Sequence, residues 1–155
     1  MKNTCCFFGH RNITETEEVK AKLNAIVEKL IVERQVDTFL FGSKSSFNSL
    51  CRETVNKLKE KYPHIKRVYV RAEYPHISED YKEYLLESYE DTYYPKKILN
   101  SGRAVYVLRN YDMIDQSYYC VVYYNELNVS TSHKSGTKIA LDYAIKKCKN
   151  IIRVL

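Results

Sequence analysis

A chain of 155 residues, 45% hydrophobic and 28% charged, has the size and make-up of one globular domain and the composition of neither a disordered segment nor a coiled coil. No apolar run approaches the roughly 20 residues that cross a bilayer, and no small-residue cleavage site follows the short TCCFF run, so the chain is expected to be cytoplasmic, with no membrane contact. The net charge of +6, from 25 basic and 19 acidic residues, admits an anionic small ligand or nucleic acid without choosing between them.

Taken in chain order, residues 4–8 (TCCFF) read as a buried strand bounded by Gly9. Thr14 is a helix N-cap with Glu17 three positions on. Val19, Leu23, Ile26 and Leu30 follow at helical spacing, which predicts a helix over 14–34. VDTFLFG, residues 36–42, is a second apolar strand. The next segment opens with small polar residues and then sets Phe47, Leu50, Cys51, Val55 and Leu58 on one helical face. IKRVYV, residues 65–70, is a third strand. Strands that are apolar throughout and alternate with helices predict an α/β three-layer sandwich, with a mostly parallel sheet of about five strands covered on both faces.

Residues 74–101 combine a short helical pattern in YKEYLLESYEDTYYPKK with a loop around Pro95, and their boundaries stay open. RAVYVL, residues 103–108, has the β-branched content of a strand, yet YYCVVYY, residues 118–124, is the stronger one. A parallel crossover between them would need roughly a dozen residues or more, so 103–117 are read as one helix. A polar loop, the helix SGTKIALDYAIKK and a closing strand NIIRVL complete a single domain over 1–155, without repeats or linkers. The five cysteines match no CxxC or Cys/His zinc spacing and are expected to be reduced packing residues. Cys5 and Cys6, neighbours on a strand, point to opposite faces and do not chelate one ion, and no metal is expected.

Three strand-to-helix junctions carry small or polar residues: Gly9-His10-Arg11, Gly42-Ser43-Lys44-Ser45-Ser46 and Ser135-Gly136-Thr137. Each alone is an ordinary turn or cap. In an open parallel sheet all three fall on the carboxyl edge, where free backbone N–H groups and positive helix ends suit an anion and small residues let a phosphate approach closely. His10 is open to three roles: general acid or base, phosphate donor, or a histidine hydrogen-bonded to the neighbouring loop. Arg11 and Arg109 are the candidate anion clamps, since a guanidinium holds phosphate bidentately. His133 and Lys134 flank the third junction. No GxGxxG, GxxxxGK or GxSxG occurs, which disfavours a conventional dinucleotide enzyme, NTPase or serine hydrolase.

CCFFGHR, FLFGSKSSFNSL, KEKYPHIKRVYV, RNYDMIDQS and SGTKIALDYAIKK, in that order over nearly the whole chain, together resemble the SLOG superfamily. This Rossmann-like group includes Smf/DprA, the LOG phosphoribohydrolases and YpsA-like bacterial proteins, and the likeness is greatest to small single-domain Firmicutes members. The resemblance implies a Rossmann-like sandwich, dimeric or higher, that binds a nucleotide or nucleotide-derived molecule at the strand edge. Carried over by position, the ligand-facing residues are Gly9, His10, Arg11, Gly42, Ser43, Arg109, Asn110, Ser135, Gly136 and Thr137.

The departures from the family pattern bear on activity. Ala140 stands where the LOG catalytic glutamate falls, and Tyr118 stands where an aspartate commonly follows the RN helix. The second loop has lost a glycine and an acid and gained Lys44, and the usual Gly-Gly pair is Ser135-Gly136. Without the glutamate, LOG-type hydrolysis lacks its acid-base group. The expectation is therefore a binding module that senses or sequesters a nucleotide-derived molecule, with no cofactor. The alternatives are a nucleoside-monophosphate N-glycosidase using Glu73 or Asp115, and a DNA-binding protein like Smf/DprA.

Overall fold

The computed structural model describes residues 2–126 and 135–155. In chain order the elements are β1 (Thr4–Gly9), α1 (Glu17–Arg34), β2 (Thr38–Phe41), α2 (Ser46–Lys61), β3 (Lys66–Val70), α3 (Glu79–Leu86) and β4 (Asp91–Tyr93). After two short 3₁₀ turns come α4 (Val105–Gln116), β5 (Tyr119–Tyr123), α5 (Gly136–Lys146) and β6 (Asn150–Arg153). The strands form one sheet in the order β4-β3-β2-β1-β5-β6, and every pairing is parallel.

The apolar runs of the strands serve two cores. On one face Cys5 and Phe7 of β1, with Phe39 and Phe41 of β2, pack against Leu23 and Val27 of α1 and Phe47 and Val55 of α2. On the other, Cys6, Phe8 and Leu40 pack against Met113 and Ile114 of α4 and Leu141 and Ala144 of α5. Successive residues point to opposite faces of a strand, so a strand buried on both sides must be apolar at every position. Cys5 and Cys6 divide between the two cores as expected. All five cysteines are free thiols, and burial pushes Cys5, Cys6 and Cys51 well up from the ordinary thiol value.

From β1 the chain winds outward through β2 and β3 to β4, then crosses back by α4 to set β5 on the other side of β1. The reversal places a crevice between the carboxyl ends of β1 and β5. Residues 103–117 are helical as read, with Val105–Gln116 as α4 and a 3₁₀ turn over Gly102–Ala104 before it. No helix among the described residues is long and apolar enough to cross a membrane.

Two expectations need correction. The sheet has six strands, not five. The additional one, β4, is three residues long, too short to show a period, and it lies in the stretch whose boundaries stayed open. Second, α1 starts at Glu17 rather than at residue 14. Thr16, not Thr14, is its cap: the Thr16 hydroxyl accepts the Val19 N–H at 3.1 Å, while the Thr14 carbonyl is used by a turn to Thr16 N–H. As read from the sequence, the polar run before α2 is the strand-to-helix loop: α2 starts at Ser46 with Ser45 as its cap.

Gly9 is required where β1 passes under α2. A Cβ there would lie 2.3 Å from the Phe47 ring, which is fully buried. Gly9→Ala is therefore expected to destabilise the protein by about 1–3 kcal/mol through overpacking. Urea unfolding should also show the Gly9→Ala/Phe47→Ala double variant less damaged than the sum of the singles, because the clash is lost with the ring.

Candidate functional site

The carboxyl ends of β1, β2 and β3, the first turn of α5 and one face of α4 enclose a cleft of about 420 Å³. Gly9, His10, Arg11, Gly42, Ser43, Arg109, Asn110, Ser135, Gly136 and Thr137 all line it, so sites far apart in the chain meet in one place. His133 and Lys134 lie outside the described residues.

The first two loops are tied to each other at the rim. Ser46 N–H donates to the Arg11 carbonyl at 2.8 Å, and the Ser46 hydroxyl accepts the Ile13 N–H at 2.9 Å. Ser45 caps α2 by accepting the Asn48 N–H, and its own N–H donates to the Ser43 hydroxyl at 3.2 Å. These serines spend their hydroxyls on the chain's own amides. Gly9 and Gly42 likewise make room for protein atoms: a Cβ on either would meet a neighbouring side chain. A Cβ on Gly42 would lie 2.9 Å from Arg109 Cδ. Gly136 differs, because a Cβ there would meet nothing within 4 Å. Ser135 caps α5 through the Lys138 N–H at 3.1 Å. None of the described hydrogen bonds uses the N–H of Gly136 or Thr137, so this helix end has donors for an anion.

Of the three roles open to His10, the structure shows the third, a hydrogen bond to the neighbouring loop. Its Nε2 accepts the Asn125 N–H at 2.7 Å, and the ring lies against Tyr124 with centroids 5.3 Å apart. A nitrogen that accepts carries no proton, so Nε2 is not the atom that would donate to a phosphate. His10 pins the chain after β5 to the end of β1.

Arg109 on the cleft wall also holds the chain itself. It is 5% exposed, and its Nη1 donates to the Gly42 carbonyl at 2.8 Å and the Val70 carbonyl at 3.4 Å, while Nε donates to Asn110 Oδ1 at 2.9 Å. The guanidinium is thus a strut from α4 to the ends of β2 and β3. Burial pushes it down from its ordinary value, yet an arginine keeps its charge. Beside it, Arg71 at the end of β3 is 9% exposed and donates to the Tyr74 carbonyl at 3.2 Å and to Thr92 Oγ1 at 3.1 Å. None of the ion pairs among the described residues involves Arg71 or Arg109. Arg11 and Lys44 are exposed on the same cleft.

Arg71 escaped the sequence reading, which looked for glycine or serine at strand ends. The end of β3 has neither, but a cation directly after a buried strand was the available signal. Tyr69, Tyr74, Tyr81 and Tyr106 add aromatic surface to the cleft.

Of the two candidate carboxylates, Glu73 lines the cleft and its Oε1 accepts the Tyr106 hydroxyl at 2.7 Å. Asp115 is absent from the lining; it accepts the Tyr143 hydroxyl at 2.9 Å, in the α4–α5 contact where Tyr111 and Tyr143 stack. Ala140 is 1% exposed in the second core, so a longer polar side chain at that position would compete with packing.

No family model matches the chain, and no curated protein does. Among solved structures, that of S. aureus TarJ in complex with NADPH is similar, with a TM-score of 0.44 and 17% identity over 89% of this chain. The chain spans 43% of that protein's length. A likeness of this size carries no inference about ligand or activity.

Two expected outcomes follow from the geometry. Arg109→Met orphans buried carbonyls and should cost about 2 kcal/mol or more in urea unfolding, whereas Arg11→Ala at the exposed rim should change stability by no more than about 0.5 kcal/mol. Burial, with help from Asp115, pushes the Tyr143 hydroxyl up to about 12, against roughly 10 in an unfolded chain. The folded state then holds this proton longer, so its contribution is complete below about pH 10 and is lost as pH rises toward 12. Tyr143→Phe should flatten melting temperature against pH in that window.

Proposed function

We propose that the protein binds a nucleotide or nucleotide-derived small molecule, as a sensing or sequestering module, in the cleft at the carboxyl edge of the sheet. One observation carries this reading: Arg71 and Arg109 are both nearly buried on the cleft wall, and neither is ion-paired among the described residues. Burying a charge without a counter-charge is costly, and such groups are kept where a ligand of opposite sign is held. Arg11, Lys44 and the first turn of α5 add to the same field, against the single carboxylate Glu73. A phosphate answers that arrangement. The volume lies within the range of small-molecule sites, and the crevice occupies the position where doubly wound sheets take their ligands. Membership of the SLOG superfamily is part of the same proposal and rests on the sequence motifs.

A second reading, an enzyme that cleaves the N-glycosidic bond of a nucleoside monophosphate, draws on Glu73, the carboxylate that does line the cleft. Release of free base from a nucleotide panel, lost in Glu73→Gln, would establish it. Binding alone, with no turnover, is the expected result.

The test is a thermal-shift series against nucleoside mono- and diphosphates, cyclic dinucleotides and ADP-ribose species. A ligand at 100 times its Kd adds about 2.7 kcal/mol, a shift of several degrees. Arg71→Met should weaken binding by about tenfold or more, as loss of a charged hydrogen bond does. A flat series across all these compounds overturns the proposal.

A further inference from the structure

Each guanidinium on the cleft wall keeps one terminal nitrogen unused. Arg109 donates through Nε and Nη1, and Arg71 does the same. None of the described hydrogen bonds uses Nη2 of either residue. Nor is either Nη2 shut off from solvent: among the described residues, the side-chain polar atoms that are both buried and unpartnered are Asn48 Oδ1 and Arg52 Nε. Arg71 and Arg109 are 9% and 5% exposed, and the space that both line is the cleft. Each therefore offers it one free, charged donor. Both are anchored on the stretch after β3, Arg109 through the Val70 carbonyl and Arg71 through the Tyr74 carbonyl.

The ionised groups of the cleft are unequal in sign. Arg11, Lys44, Arg71 and Arg109 line it against one carboxylate, Glu73. None of the ion pairs among the described residues involves any of the five, and Glu73 Oε1 accepts the Tyr106 hydroxyl. Four cations against one anion are answered better by a ligand with two negative charges than by one with a single charge, most of all where the cations have lost their water.

The phosphates of nucleotide-derived molecules differ in this respect. A terminal monoester carries close to two charges above about pH 6 and has three free oxygens. A phosphate that bridges two sugars or closes a ring carries one charge and has two. We propose that the cleft selects a terminal phosphate monoester, in its dianionic form, over diester and cyclic phosphates, with the free Nη2 groups of Arg71 and Arg109 supplying donors from its wall. This rests on the nucleotide reading of the cleft and narrows it to molecules that end in a phosphate.

The test is calorimetric titration of AMP, GMP, CMP and UMP, their 3′,5′-cyclic forms and ribose 5-phosphate into the wild type and Arg71→Met. At about pH 7.5 at least one open monophosphate should bind the wild type about tenfold or more tighter than its cyclic form. Near pH 5 the phosphate has regained its second proton. The affinity of that monophosphate should then be about tenfold lower, while that of the cyclic form stays within about twofold. A change in the charge of His10 or Glu73 acts on both ligands and drops out of their ratio. Arg71→Met should cut the preference to about threefold or less; should it not fold, the wild-type comparison decides alone. Cyclic and open forms of equal affinity, a common pH profile, or a preference unchanged in folded Arg71→Met each overturn the inference and leave nucleotide binding standing. Ribose 5-phosphate that matches every open nucleotide and exceeds the cyclic forms upholds the monoester preference and overturns the nucleotide reading alone. Binding of no compound overturns both.

Discussion

A parallel sheet must be covered on both faces, and the rest of this molecule follows from how the chain meets that demand. Helices α1 and α2 cover one face while the chain winds outward from β1 to β4. The other face is then bare at the centre, and only a return across the sheet covers it. Helix α4 makes that return, bringing Met113 and Ile114 over Cys6 and Leu40, and sets β5 beside β1 so that α5 completes the layer. The reversal leaves loops diverging from β1, and the cleft is the space between them.

Holding that cleft open takes polar struts, because diverging loops expose backbone that water alone would not organise. Arg109 reaches from α4 to the carbonyls of Gly42 and Val70, and His10 accepts the amide of Asn125 from the chain beyond β5. Ser46 joins the first two loops. These contacts account for several residues that resembled ligand contacts. Neither Arg109 nor Arg71 is ion-paired among the described residues, so the struts also bring positive charge to the cleft wall. In the proposed reading, structure and ligand preference come from the same side chains.

A second cavity, of about 380 Å³, adjoins the first along α2. Ser45 ends the loop and starts the helix, and the helical period then sets Asn48 and Arg52 at the edge of the first core, beside buried Phe47 and Val55. The tyrosines of β3 and α3 close that edge. Six of the 15 tyrosines, which composition alone left without a role, line the two cavities: Tyr69, Tyr74, Tyr81, Tyr84, Tyr89 and Tyr106.

Local chemistry made much of this legible. The central strands β1, β2 and β5 could be read because a strand buried on both faces is apolar almost throughout, β3 and β6 from their short apolar stretches, and α4 because a parallel crossover has a minimum length. The short β4 could not, since three residues show no period and its pairing is decided by the edge of β3. Gly9, Gly42 and Ser135 mark strand ends or caps in any sequence, so their convergence on one edge followed from the fold class. What each does there did not follow. Whether Gly9 faces a phosphate or the Phe47 ring, and whether Arg109 grips an anion or two carbonyls, depends on residues tens of positions away. The amino-acid sequence by itself determined the alternation of elements and the edge at which polar residues collect, because both arise from local period and turn chemistry. Only the tertiary structure decided which cations are buried without a partner and which polar atoms are orphaned, because burial is a property of the packed neighbours and not of the residue.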